Sequence, residues 1–145
     1  MGGLRNRKIT KGIGGLQNSQ IKTKARVRDH GEVYTNEREV KDMCDLIPKD
    51  IWQNIDSTFL EPACGNGNFI VEILKRKLEL CKTENEVYRA YNSIWGIDIL
   101  QDNCEETKSR MIELCPKYAD KTKLPLNIIC GNSLEIMKEW ENKNE

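Results

Sequence analysis

A strand, a glycine turn and a helix follow one another in the middle of the chain, and this unit limits the possible folds most strongly. Residues 58–60 form a short apolar run that ends at Glu61. The glycine turn 64–68 (Cys-Gly-Asn-Gly-Asn) comes next and opens a segment whose apolar residues recur at helical spacing. A strand that enters a helix through such a turn is typical of an α/β domain with a parallel sheet.

The remaining sequence continues the alternation of helices and strands. Residues 36–46, 84–92 and 101–115 have helical spacing of apolar positions, and 93–97 and 126–130 have the character of buried strands. The sequence therefore predicts an α/β fold with about three parallel strands and flanking helices.

Charge divides the chain into an arm and a domain. The chain has 145 residues, enough for one domain, and its net charge is zero. Residues 1–28 nevertheless hold eight Lys and Arg and no acidic residue, so the remainder carries the balancing negative charge. We predict a basic, flexible arm at 1–28 and one domain at 29–145. The arm is suited either to contact phosphate backbones or to act as a solubilising tail.

The cysteines argue against a metal centre. The six cysteines form no Cys-x-x-Cys pair, and His30 is the single histidine. A zinc site is therefore not expected, and the thiols are interpreted as reduced cytoplasmic side chains, several of them buried. Because no apolar run has the length of a membrane span or the character of a signal peptide, we expect a cytoplasmic protein without membrane association.

Each predicted strand ends in a polar cluster. The first ends at Glu61 and the glycine turn, the second at Asp98, and the third at Asn132 and Ser133. In an open parallel sheet, ligands bind outside the carboxyl ends of the strands, so these clusters predict one ligand site.

Two nucleotide-binding motifs fit this site poorly. A dinucleotide fingerprint would need a third glycine where Ile70 stands, and an acidic residue about 20 positions further on, closer than Asp98 lies. A Walker phosphate loop is excluded because no glycine is followed by Lys and Ser or Thr.

Four stretches resemble the cofactor half of the S-adenosylmethionine-dependent DNA adenine methyltransferases of restriction-modification systems. They are 31–35 (Gly-Glu-Val-Tyr-Thr), 59–69 (Phe-Leu-Glu-Pro-Ala-Cys-Gly-Asn-Gly-Asn-Phe), 96–99 (Gly-Ile-Asp-Ile) and 130–134 (Cys-Gly-Asn-Ser-Leu). They occur in the family's order, and the second stretch is the most specific. The resemblance implies a Rossmann-like class I methyltransferase fold that is incomplete in this chain.

The resemblance also implies positions for the methionine part of the cofactor. The glycine turn would wrap it at Ala63, Gly65 and Gly67, with Glu61 near its amino group. Thr35 and the amides at the start of the following helix would meet its carboxylate, as helix N-termini favour anions.

The adenosine part would lie at the next two strand ends. Asp98 would accept hydrogen bonds from both ribose hydroxyls, and Ile99 would lie against the adenine ring. Asn132, where the family often has Asp, would accept from the adenine amino group as an uncharged acceptor. Structural roles remain open: Thr35 and Asp98 could cap helices, Gly96 could permit close packing, and Asn132 could belong to an ordinary turn.

The catalytic signature of these enzymes is absent. The family carries Asp or Asn-Pro-Pro-Tyr or Phe after a fourth strand, whereas the four prolines here are never adjacent. No catalytic residue is therefore assigned, and the chain alone is not expected to methylate DNA. We interpret it as a cofactor-binding part, either truncated or one half of a split enzyme.

The expected partners are DNA and the polypeptide that carries the Pro-Pro motif. That partner would add its strand at the open sheet edge beside the third strand, and the same edge predicts self-association. Two alternatives remain: a non-catalytic S-adenosylmethionine- or DNA-binding protein of the same fold, and a methyltransferase acting on RNA, protein or a small molecule.

Overall fold

The computed structural model describes residues 35–144. Its helices are α1 (Glu37–Asp45), α2 (Lys49–Gln53), α3 (Asn68–Leu78), α4 (Glu84–Asn92), α5 (Gln101–Glu113) and α6 (Ser133–Lys143). Its strands are β1 (Phe59–Glu61), β2 (Ile94–Asp98) and β3 (Asn127–Cys130), and a 3₁₀ turn spans Lys121–Lys123. The predicted basic arm, His30 and the first four residues of the 31–35 motif lie outside the described residues.

The three strands form one parallel sheet. Their order is β1-β2-β3, so β2 lies in the centre and the other two strands form the edges. Leu60 pairs with Trp95, and Trp95 pairs with Asn127 on its other side. The predicted fold class is therefore confirmed: three parallel strands with flanking helices, an incomplete Rossmann-like arrangement.

The two faces of the sheet are covered differently. Ile94 and Ile128 belong to the main hydrophobic core, together with apolar residues of α1, α3, α4 and α5. Trp95 points to the opposite face, because side chains alternate along a strand. There its ring meets Trp140 of α6 edge to face, with centroids 5.7 Å apart. Thus α6 lies on the face opposite to α3 and α5.

Local signals define the helix starts. Asn36 caps α1, its Oδ1 accepting from Glu39 N at 2.9 Å. A complete capping box, which the sequence analysis did not identify, begins α4 at Thr83 and Glu86. Two helices, α2 and α6, were also not predicted.

The buried face of α5 differs from the apolar pattern. Cys104, Lys108, Met111 and Ile112 recur at turn spacing in the sequence, but the buried residues of α5 are Asn103, Cys104, Thr107 and Met111. The difference arises because two of the buried residues are polar, and a hydrophobic pattern does not reveal a polar side chain that is buried to hold a neighbouring loop.

The cysteines follow the expected distribution. All six are free thiols, four of them buried, with Cys115 half-buried and Cys130 exposed. Burial raises the pKa of Cys44 to about 11. Among the helices of residues 35–144, none combines the length and the apolar character that crossing a membrane requires.

Hydrogen bonds of the Lys77 side chain connect α3 to the segment before β1. This side chain is fully buried, and Nζ donates to the carbonyl oxygens of Ile55 at 2.7 Å and Ser57 at 2.6 Å. The ammonium also lies 5.1 Å from the centroid of the Phe59 ring. Burial outweighs these contacts and lowers the pKa of Lys77 to about 8.

We predict that Lys77 makes stability increase with pH in the alkaline range. Between about pH 8 and its ordinary value of 10.5, the unfolded chain binds more protons at this group than the folded chain does. The free energy of unfolding of the wild type, relative to Lys77→Met, should therefore rise by up to about 1.4 kcal/mol per pH unit. Urea denaturation of both proteins at a series of pH values measures this difference. Lys75→Met, exposed on the same helix, is the matched control, and a pH-independent difference for Lys77→Met would contradict the prediction.

Candidate functional site

Backbone hydrogen bonds join the three loops that follow the strands. Cys64 N donates to Ile97 O at 2.8 Å, and Gly131 N donates to Asp98 O at 2.9 Å. Because all three strands are parallel, their carboxyl ends lie at one edge of the sheet. The convergence of the three polar clusters, predicted from the sequence, is confirmed.

The glycine turn depends on left-handed backbone at two positions. Gly65 has φ 55° and Gly67 has φ 93°, which favours glycine at both. A Cβ on Gly67 would lie 2.9 Å from both Cγ2 and Oγ1 of Thr107. The Thr107 hydroxyl also donates to Gly65 O at 3.1 Å. Helix α5 therefore packs directly against the turn and holds its shape.

The Asp98 carboxylate is a structural centre of the site. It is 6% exposed. Its Oδ2 accepts from Gly65 N at 3.0 Å, and its Oδ1 accepts from Leu100 N at 2.9 Å and Asn103 Nδ2 at 3.2 Å. Three N–H donors thus occupy a group that has about four acceptor positions. A ribose that bonded through both hydroxyls would have to displace one of these donors.

An open depression of about 260 Å³ lies beside Asp98. Its volume is below the roughly 300–1,000 Å³ of typical ligand pockets, so the depression suits only part of a larger ligand. Ile99 is 50% exposed and Leu134 is 76% exposed, so both present apolar surface there. The depression is lined by Pro62, Asp98, Ile99, Gly131, Asn132, Ser133 and Leu134. The structure thus brings together the three residues predicted for the adenosine part.

Asn132 also has a structural role. It is exposed, and its Oδ1 accepts from Glu135 N at 3.2 Å as the N-cap of α6. An ordinary turn was the structural role left open for Asn132, and the role that it has instead is a helix cap. A carbonyl oxygen has two lone pairs, so this cap does not exclude a second donor such as an amino group.

The residues predicted for the methionine part lie outside the depression. Glu61 is 2% exposed, and its Oε1 accepts from Ala63 N at 3.0 Å within the turn. Thr35 is 7% exposed, and its backbone oxygen accepts from Asn68 Nδ2 at 2.7 Å. These residues therefore group around the glycine turn, together with Gly65 and Gly67.

Cys64 and Gly96 serve packing. Burial, reinforced by the negative charge of Asp98, raises the pKa of the Cys64 thiol far above its ordinary range, so this thiol is not a nucleophile. A Cβ on Gly96 would lie 3.0 Å from Ile128 Cδ1 and 3.2 Å from Cys64 Cβ, which shows why the strands and the turn need glycine there. The part of the chain that the structure describes contains no cluster of three or more His, Cys, Asp or Glu side chains that could hold a metal ion.

Four polar residues of the site were not identified from the sequence. Three of them lie on α5: Asn103 contacts Asp98, and Thr107 and Arg110 contact the glycine turn. The fourth, Asn68, is the first residue of α3 and donates to the backbone oxygen of Thr35. The α5 residues recur at a spacing of four and three, which places them on one helical face. This polar face, on the helix that follows Asp98, was the sequence signal from which the three residues could have been identified.

Comparison with known proteins supports a methyltransferase. The chain is 35% identical over 85 residues to the type II methyltransferase M.VspI of Vibrio sp. (strain 343). The matched segment is 59% of this chain and 17% of that enzyme's length. No family model matches the chain, and no solved structure matches it. The resemblance predicted from the four motifs is confirmed, as a resemblance to one part of a methyltransferase.

We predict that Gly67→Ala destabilises the folded protein by about 1–3 kcal/mol. The substitution would strain a left-handed residue and also push its Cβ against Thr107. Gly131→Ala is the control, because its Cβ would meet only the flexible end of Ile136, at 2.9 Å. Urea denaturation compares the two variants with the wild type. Equal stability of Gly67→Ala and Gly131→Ala would show that the turn is not constrained in this way.

Proposed function

We propose that this chain binds S-adenosylmethionine as the cofactor-binding part of a DNA adenine methyltransferase. One observation carries the proposal: three parallel strand ends converge on a left-handed glycine turn, and Asp98 of the central strand bonds to the turn's backbone. The similarity to a type II methyltransferase supports the same conclusion. Adenine as the target base and DNA as the substrate rest on the resemblance of the motifs.

The residues around the site fit the cofactor's chemistry. Because Gly67 has no side chain, Thr107 of α5 packs against the glycine turn and holds its backbone in a fixed shape, which suits a turn that bends around a ligand. The buried Glu61 carboxylate beside the turn suits the ammonium of the methionine part. Asp98 has room to accept one ribose hydroxyl beside its three protein donors, and the exposed Ile99 offers an apolar surface to the adenine ring.

The methyl transfer itself is assigned to a second polypeptide or a further segment that carries the Asn-Pro-Pro-Tyr-type motif. Such enzymes act on a base rotated out of the duplex, with an aromatic side chain stacked on it. This chain would supply the cofactor and its partner the catalytic residues. The reduced thiols suit a cytoplasmic location.

The fold favours a different docking edge from the one expected. The connections from β1 to β2 and from β2 to β3 pass over the face that carries Ile94 and Ile128, whereas α6 packs on the opposite face against Trp95. Connections between parallel strands are right-handed. A connection that passes over the opposite face therefore moves across the sheet in the opposite direction, from β3 back towards β1. A parallel strand connected through α6 would therefore pair beside β1, not beside β3 as the sequence analysis proposed.

Isothermal titration calorimetry with S-adenosylmethionine tests the proposed function. We expect binding by the wild type and loss of binding in Ile99→Glu, which places a charge on the surface proposed for adenine. Ile99 is half-exposed, so this substitution should leave the fold intact. Leu46→Glu is the matched control, since Leu46 is 83% exposed and lies away from the site.

Two outcomes would contradict the proposal. One is a folded wild type that binds no cofactor up to about 1 mM, a free energy weaker than about −4 kcal/mol. The other is equal affinity in Ile99→Glu and Leu46→Glu, which would place any binding elsewhere on the protein.

We also predict that the chain self-associates through β1, whose outer edge pairs with no strand among residues 35–144, and not through the edge beside β3 expected from the sequence. Edge strands expose unpaired N–H and C=O groups, which pair readily with another strand. Sedimentation velocity at rising protein concentration should show a dimer. Leu60→Lys should shift it towards monomer, and Ile129→Lys at the other edge should not. A wild type that stays monomeric at high concentration, or equal effects of the two substitutions, would refute this edge as the contact.

A further inference from the structure

The side-chain amide of Asn68 joins two segments that are distant in sequence. Its Nδ2 donates to the backbone oxygen of Thr35 at 2.7 Å, and its Oδ1 accepts from Arg110 Nη1 at 2.8 Å. The same Arg110 nitrogen donates to Asn66 O at 2.9 Å. The segment before α1, the glycine turn and α5 are thus connected through one asparagine and one arginine.

The chemistry of the two neighbours fixes the direction of the amide. A carbonyl oxygen only accepts hydrogen bonds, and a guanidinium only donates them. Asn68 must therefore donate towards Thr35 and accept from Arg110. An aspartate of the same shape would keep the bond from Arg110 but would place a negative oxygen against the Thr35 carbonyl.

This bridge contacts Asn66 in the glycine turn and includes Asn68 at its end, whereas Asp98 contacts Gly65. Asp98 bonds to Gly65 N and lines the depression together with Ile99 and Asn132. Neither Asn68 nor Arg110 lines that depression. Asp98 therefore holds the earlier part of the turn, and the bridge of Asn68 and Arg110 holds its later part.

We propose that Asn68 and Arg110 are positioning residues that hold Thr35 against the glycine turn, and thereby set the affinity for the amino-acid end of the cofactor but not for its adenosine end. This inference rests on the proposed function, in which Thr35 and the turn surround the methionine part. Neither residue is a catalytic residue, since each acts through the backbone that it holds.

Two ligands separate a positioning role from a general structural one. S-adenosylmethionine carries the amino-acid end, and methylthioadenosine lacks it while keeping the adenosine and the sulfur. In Asn68→Asp we expect the affinity for S-adenosylmethionine to fall about tenfold, the equivalent of one hydrogen bond. The affinity for methylthioadenosine should stay within about twofold of the wild-type value. Calorimetry measures both, with thermal melting as the check on folding.

A matched variant controls for the chemistry of the substitution. Asn127 Nδ2 donates to Asn92 O at 3.0 Å, a bond of the same kind at the amino end of the sheet. Asn127→Asp should change neither affinity. Arg110→Lys retains a positive donor without the planar guanidinium, so it should lose less affinity for S-adenosylmethionine than Arg110→Met. If Asn68→Asp does not fold, this Arg110 pair carries the test.

The outcomes distinguish this inference from the proposed function. Absence of S-adenosylmethionine binding by the folded wild type overturns both. Wild-type binding that Asn68→Asp and Arg110→Met leave unchanged overturns the positioning role alone. Equal losses for the two ligands would show that the bridge serves only the general stability of the site, and would also overturn it.

Discussion

The carboxylate of Asp98 connects three parts of the molecule that its sequence separates. From the end of the central strand it accepts hydrogen bonds from Gly65 in the first loop and from Leu100 and Asn103 at the start of α5. Its backbone oxygen accepts from Gly131 in the third loop. Because the group is buried, each of these donors would be costly to leave without a partner. The arrangement of the glycine turn and the start of α5 therefore depends on this one side chain, and the backbone of the same residue holds the loop that follows β3.

Helix α5 supports the site with polar contacts from a buried face. Thr107 bonds to the glycine turn and occupies the space that a side chain at Gly67 would need. Arg110 bonds to Asn66 and Asn68 of the same turn. These contacts explain why a helix that carries few apolar residues packs against the sheet, and they keep two left-handed glycines in a single conformation. A rigid turn lowers the entropy that a ligand must pay to order its site.

The site has the character of one part of a larger assembly. The depression beside Asp98 is open and small, and the residues proposed for the amino-acid end of the cofactor lie around the turn instead. Within residues 35–144, the parallel sheet also has two unpaired edges, and α6 is the helix that packs on its second face, whereas parallel sheets are normally covered on both faces. The proposed cofactor-binding part, completed by a catalytic partner, would account for these features together.

The sequence by itself determined the three strands, most of the helices and the convergence of polar clusters, because alternation of apolar segments and glycine turns is a local signal. It also identified the methyltransferase resemblance, since Glu61 through Phe69 is a contiguous motif. Only the tertiary structure decided that Asp98 already holds three protein donors and that α6 crosses to the second face. It alone showed that Asn68 and Arg110 join Thr35 to the turn. The contacts of Asp98 with Gly65 and of Asn68 with Thr35 and Arg110 connect residues more than 30 positions apart, and no local pattern encodes which distant partner a polar side chain will meet.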